Sequence, residues 1–109
     1  MPTSYDSRLN KERAQIFKIL GHPLRLAILD ELRNGERCVQ DLESRLGAEQ
    51  SNISRHLSLL KQIGIIDCRK EGLFVYYFLA IPCISNFFDC VNQVILKRVA
   101  NSQALWAEE

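Results

Sequence analysis

A mixed set of polar side chains lies along one face of the segment QSNISRHLSLL, residues 50–60. At helical spacing Ile53, Leu57 and Leu60 form an apolar stripe, which Leu59 widens. The opposite face carries amide, hydroxyl, guanidinium and imidazole groups, which hydrogen-bond to base edges and phosphates in a DNA major groove. A helix with an ordinary solvated face is the alternative. The candidate DNA-reading residues are Gln50, Ser51, Asn52, Ser54, Arg55 and His56.

A second group of candidate DNA contacts follows this helix. Residues 65–70 and 73–79 read as two β-strands joined by a turn at residues 71–72, and the second strand is rich in aromatic and β-branched residues. Arg69 and Lys70 are expected near the tip of this hairpin, where cations suit the phosphates of a neighbouring groove. Solvated hairpin tips often carry such charges. The position directly after the polar-faced helix favours a DNA-contacting wing.

The surrounding segments have the pattern of a winged helix-turn-helix domain. Residues 38–62 predict two helices joined by a Gly-containing turn, and we call the second of them, residues 50–62, the recognition helix. Apolar stripes also predict helices over residues 8–20, over residues 23–32 with Arg25 pointing outward, and over residues 83–104. The expected fold class is α+β and mostly α, with five helices and a two-stranded wing at residues 65–79.

Length and charge constrain how such a domain works. The 109 residues, 47% of them hydrophobic, suit one domain spanning residues 1–109. The helices at residues 8–20 and 83–104 hold more apolar surface than a small winged helix needs, so we expect them to pair in a homodimer. A two-fold dimer presents two recognition helices to double-stranded DNA with palindromic half-sites about one helical turn apart. The net charge of only +1 means that DNA binding must rest on local placement of charge.

The expected compartment is the cytoplasm. No apolar run approaches the roughly 20 residues that span a membrane, so no membrane partner is expected. The N-terminal residues MPTSYDSRLNKER lack the apolar centre of a signal peptide. In that compartment Cys38, Cys68, Cys83 and Cys90 are expected to be thiols rather than structural disulfides.

Four segments together resemble the ArsR/SmtB family of bacterial metal- and metalloid-responsive repressors. They are GHPLRLAILDEL (21–32), ERCVQDL (36–42), QSNISRHLSLLKQIGII (50–66) and RKEGLFVYY (69–77), and the similarity extends over about residues 11–97. The resemblance implies a homodimeric winged-helix repressor that leaves its operator when an inducer binds. It also implies that the six polar residues of the recognition helix named above are the DNA-reading positions.

The resemblance further points to Cys38 as an inducer ligand. Arsenic sensors of the family are similar to ERCVQDL but carry a second cysteine where this chain has Gln40. Cys38 is expected at or just before a helix N-terminus, where the helix dipole lowers the pKa of a thiol. Soft ions such as As(III) or Sb(III) are held by three sulfurs in these sensors, so other cysteines must complete the site.

Cys83 and Cys90 are the candidates to complete it. If both are helical, their Cα atoms lie roughly 10.5 Å apart along the axis, whereas two sulfurs on one metal ion lie at most about 4.6 Å apart. Three arrangements remain possible. The two cysteines serve different sites, or they meet across the dimer, or Cys83 lies before the helix begins. Cys68, on the first strand, is expected to serve packing alone. A soft-metal site at Cys38, Cys83 and Cys90 ranks first, followed by a thiol-redox or persulfide switch using two cysteines, and by buried cysteines without a sensing role.

Two other classes of function compete with a repressor. A winged helix that binds another protein would show partner binding with little salt-dependent affinity for DNA. An enzyme is disfavoured, because the sequence has no phosphate-cradling loop, no paired catalytic carboxylates and no nucleophile–base pair.

Overall fold

The structure, a computed structural model, describes residues 5–101. Within this range the chain forms five helices and one two-stranded sheet. In chain order the elements are α1 (Arg8–Leu20), α2 (Pro23–Leu32), α3 (Val39–Leu46), α4 (Gln50–Gln62), β1 (Ile66–Glu71), β2 (Phe74–Leu79) and α5 (Ile84–Asn101). The predicted fold class, a mostly helical winged helix-turn-helix domain, is confirmed.

Local sequence signals explain where the helices begin and end. Pro23 occupies the first turn of α2, where its missing N–H costs nothing, and the Nδ1 atom of His22 accepts the Leu24 N–H at 3.1 Å. The turn between α3 and α4 depends on Gly47, whose φ of 66° lies in the left-handed region that glycine adopts without strain. The Gly47 turn ends α3 and lets the recognition helix, α4, begin three residues later.

A single apolar core holds α2, α3 and α4 together. It is built from aliphatic side chains on the inward stripes of the helices, together with the residues that begin the wing. The fully buried side chains on the helices are Ile28, Leu29, Leu42, Ile53, Leu57 and Leu60. The predicted inward stripe of α4 is therefore confirmed. Burying each of these side chains contributes about 1.5–3 kcal/mol relative to leaving it in water, so the core fixes α4 as one rigid element.

The wing is an antiparallel hairpin whose register runs from Ile66 opposite Leu79 to Glu71 opposite Phe74. Its turn is Gly72-Leu73, one residue later than expected, because Gly72 supplies the positive φ of 63° that a two-residue turn requires. The wing is also tied to the segment before α3. Arg37 and Tyr77 exchange backbone hydrogen bonds of 3.1 and 2.8 Å, which form an isolated bridge.

The last helix differs from the expected range of residues 83–104. It begins at Ile84, so Cys83 precedes the helix, and residues 102–104 lie outside the described residues. None of its side chains is buried within the protomer, although Ile84 and Phe88 pack against the core. No helix in residues 5–101 is long and apolar enough to cross a membrane.

Candidate nucleic-acid interface

The recognition helix presents a polar face to solvent, as predicted. Gln50, Ser51 and Arg55 are exposed, and Asn52 and Ser54 are half-buried at the edges of the face. The Arg55 guanidinium donates a hydrogen bond to the Asn52 side-chain oxygen, so the two groups lie together one turn apart. The face therefore offers a clustered guanidinium and amide, the pair of groups that most often read purines.

Sequence reasoning missed Ser58 on this face. Ser51, Arg55 and Ser58 are spaced by four and three residues, so they share one line of the helix, and all three are exposed. The signal was the same helical spacing that located Arg55. The solvent face of α4 thus extends to Ser58, three residues beyond Arg55.

The prediction that His56 lies on the polar face is wrong. Its side chain is only 7% exposed, because residues 53, 56, 57 and 60 follow the spacing of the buried stripe. The Nδ1 atom of His56 accepts a hydrogen bond of 3.1 Å from Nε of Arg25. Burial, and next the neighbouring His22, Arg25 and Arg55, lower the pKa of His56. A neutral imidazole therefore packs beneath the reading face.

Arg25 does not point outward as expected. It is half-buried and donates from its second guanidinium nitrogen, Nη1, to the Ile19 carbonyl oxygen at 2.9 Å. The ring of His22 lies 4.5 Å from that of His56 between centroids. One guanidinium thus connects the end of α1 with the middle of the recognition helix.

The two cations of the wing stand in different surroundings. Arg69 donates to both carboxylate oxygens of Glu36, at 2.8–3.0 Å, and to Glu71 at 2.7 Å. It also lies 4.9 Å from the centre of the Tyr76 ring. These hydrogen bonds raise the pKa of Arg69 and, through the Arg69 guanidinium, lower the pKa of Glu36. Lys70 is exposed, and its side chain forms no hydrogen bond or ion pair within residues 5–101.

The cysteines predicted to bind a soft ion do not meet within one protomer. Cys38 is buried and caps the start of α3, as expected, with its N–H donating to the Asp41 carboxylate at 3.4 Å. Cys83, directly before the last helix, and Cys90, within it, are both exposed. Residues 5–101 of one protomer contain no group of three Cys, His, Asp or Glu side chains able to hold a metal ion. Cys68 is half-buried and contacts the Lys61 ammonium, which raises the pKa of Lys61.

The first and last helices leave an apolar face uncovered. Phe17 is 56% exposed and Val94 57% exposed, although Phe17 packs on Phe87 with ring centroids 5.6 Å apart. Between these helices lies an apolar groove of about 280 Å³, lined by Phe17, Leu20, Gly21, Leu26, Phe87, Phe88, Val91, Asn92 and Ile95. Uncovered aromatic and aliphatic side chains in one continuous face mark an association surface.

Comparison with known proteins agrees with this geometry. The helix-turn-helix regulator Rv0081 of Mycobacterium tuberculosis is 33% identical over 98 residues, which are 89% of this chain and 86% of that protein. Its crystal structure superimposes with a TM-score of 0.81 at 32% identity, covering 88% of this chain and 97% of that chain. A homodimeric winged helix-turn-helix DNA-binding domain from Mycobacterium bovis has a TM-score of 0.77 at 29% identity, covering 93% of this chain and 94% of that one.

A third relative is the arsenical resistance operon repressor of Escherichia coli. It is 48% identical over 69 residues, which are 61% of this chain and 57% of that protein. Residues 22–67 match the profile of the family described as "Bacterial regulatory protein, arsR family". Because the family and the named relatives are transcriptional regulators, the expectation that this chain is not an enzyme is confirmed. The chain belongs to the arsR family of bacterial regulatory proteins.

Proposed function

We propose that the protein is a transcriptional repressor that binds palindromic operator DNA as a homodimer. The observation that carries the proposal is the exposed face of the recognition helix, where Arg55 and Asn52 lie together above a rigid apolar core. Gln50, Ser51 and Ser54, with the newly located Ser58, complete the reading face, and Lys70 contacts a phosphate from the wing. His56 is excluded from this set because it is buried.

DNA reading is tested by selecting duplexes from a randomised pool with the wild-type protein and titrating the enriched sequence. Arg55→Ala is expected to weaken binding by about 1–3 kcal/mol if Arg55 reads a base. Arg55→Lys is the matched control, because it keeps the charge but loses the planar two-point contact. It should retain the salt dependence while losing discrimination between bases. A protein that enriches no sequence, and binds duplex DNA without salt dependence, would instead fit a protein-interaction module.

The uncovered face of α1 and α5 supports the homodimer. A second copy of the chain bears the same apolar face, so a two-fold contact buries both faces at once. Val94→Asp is expected to yield a monomer in sedimentation velocity. Leu73→Asp is the control, since Leu73 is 98% exposed at the wing tip and away from this face. Dimers in both variants would contradict the assignment of the interface.

We further propose that a thiol-binding inducer releases the repressor, with As(III) or Sb(III) as the first candidate. The similarity to the E. coli arsenical repressor supports it, as does the position of Cys38 at a helix N-terminus. Residues 5–101 of one protomer hold no group of three Cys, His, Asp or Glu ligands, so we propose that Cys83 or Cys90 of the second protomer completes the site.

As(III) titration of wild type and Cys38→Ser tests the inducer. Loss of binding in the variant is expected, whereas unchanged stoichiometry and affinity would remove Cys38 from the site. A wild-type protein that ignores As(III) but forms a disulfide between protomers under mild oxidation would favour the thiol-redox switch. The exposure of Cys83 and Cys90 is the observation in favour of that second candidate.

A further inference from the structure

A polar cluster of His22, Arg25 and His56 lies beneath the recognition helix, next to the apolar core. His56 is buried beside the ring of His22, and the one hydrogen bond that its side chain makes within the described residues comes from Arg25. The same guanidinium reaches the Ile19 carbonyl at the end of α1. A buried polar network of this kind fixes one arrangement of the elements it joins, since breaking it leaves unpaired groups in the interior.

The direction of this hydrogen bond fixes the protonation state of the imidazole. Because Nε of Arg25 is a donor, Nδ1 of His56 is the acceptor, and the ring proton lies on Nε2. Protonating Nδ1 would set two N–H donors and two positive charges against each other. The titratable and charged groups that face His56 are His22, which caps α2, Arg25 on α2, and Arg55 on its own helix. All three disfavour a positive charge on the His56 ring.

We propose that Arg25 is a positioning residue that holds the recognition helix through His56, so that operator binding is lost when His56 takes up a proton. The proposal rests on the DNA-binding function proposed above. Base reading tolerates little displacement of Arg55, and Arg55 directly precedes His56 in the helix. Release of the Arg25 contact frees the middle of α4 from the end of α1, and the reading face then loses its fixed orientation.

The experiment measures the affinity of the dimeric protein for the duplex enriched by wild type, between about pH 7.5 and about pH 5. Wild-type affinity is expected to fall once the pH is below the pKa of His56, by up to about tenfold per pH unit for each protomer, because binding must then expel one proton from each imidazole. His56→Gln keeps a neutral acceptor for Arg25 and removes the titration, so its affinity should stay nearly constant. His56→Asn is the second variant if the first unfolds, which thermal unfolding monitors.

Two matched variants separate positioning from direct contact. His22→Asn preserves a capping oxygen at the start of α2 and should keep the acid loss, since His56 remains. Arg25→Met should weaken binding to the enriched duplex without changing the slope of log affinity against log salt, because Arg25 touches no phosphate.

The results that would overturn the proposal are a flat wild-type pH profile, an acid loss that persists in both His56 variants, or a reduced salt slope in Arg25→Met. Any of these three results is compatible with specific DNA binding by the wild-type protein at neutral pH, so it would refute this inference but not the proposed function. A wild-type protein that enriches no duplex at neutral pH would instead refute the proposed function, and this inference with it.

Discussion

Removing each wing cation in turn tests how the protein contacts DNA phosphates. Arg69 is held by the Glu36 and Glu71 carboxylates and the Tyr76 ring, whereas Lys70 is free within the described part of the chain. A phosphate that approaches Arg69 must replace a two-point ion pair that already exists. We therefore expect Lys70→Ala to reduce the salt dependence of DNA binding and Arg69→Ala to change it little.

The size of the effect follows from counterion release. Each phosphate neutralised on duplex DNA contributes about 0.9 to the slope of log affinity against log salt, so losing one contact per protomer of a dimer lowers the slope by about 1.8. Over a fourfold increase in salt, from about 50 to about 200 mM, that difference changes the relative affinity about twelvefold. The change is large enough to separate the two variants in a single titration series.

Fluorescence anisotropy with the enriched duplex at several salt concentrations measures these slopes. Glu36→Gln is the informative third variant, because it removes the carboxylate but keeps a side chain of similar size beside Arg69. Its slope should exceed that of wild type as Arg69 becomes available to phosphate. Equal losses of slope in Arg69→Ala and Lys70→Ala would refute the argument, since they would mean that the Glu36 pair does not restrain Arg69.

Three further predictions concern the core and the turn. Because the pKa of folded His56 is lowered, the unfolded chain binds more protons between that pKa and about 6.5. The free energy of unfolding should therefore fall as pH drops through this window, and urea titrations of His56→Gln should lack this loss. Leu57→Ala should cost about 2–5 kcal/mol in the same assay, against less than about 0.5 for the exposed Ser58→Ala. Gly47→Ala should cost about 1–2 kcal/mol from its left-handed backbone alone, since no other atom of residues 5–101, apart from those of the adjacent residues, lies within 4 Å of the added methyl group. An unchanged melting temperature would contradict this.

The sequence predicted the helices and the core well because both follow from local periodicity. The turn at Gly47 and the stripe of Ile53, Leu57 and Leu60 are visible in the order of residues alone. His56 shows where two local signals conflict. Its spacing assigns it to the buried stripe and its chemistry to the polar face, and burial prevails because Arg25 supplies the partner that its ring nitrogen needs.

That partner could not be predicted, since Arg25 lies 31 residues from His56 in the chain. The pair of Glu36 and Arg69 could not be predicted for the same reason, since 33 residues separate the two in the chain. The first pair depends on how α2 packs against α4, and the second on how the wing lies against the segment before α3. Both are properties of packing rather than of any local pattern. The proposed soft-ion site of Cys38 and the cysteines near α5 would depend further on the second protomer.

The net charge of the chain is only +1, and several of its arginines are paired with carboxylates. Arg33 is paired with Asp30 and Asp89, Arg45 with Glu31, and Arg69 with Glu36. These arginines add little to the attraction of phosphates that drives non-specific binding. Sequence-specific binding depends on contacts to bases, and these contacts depend on the orientation of the recognition helix. A contact that holds that helix, such as the hydrogen bond from Arg25 to His56, is therefore expected to control affinity although it touches no DNA.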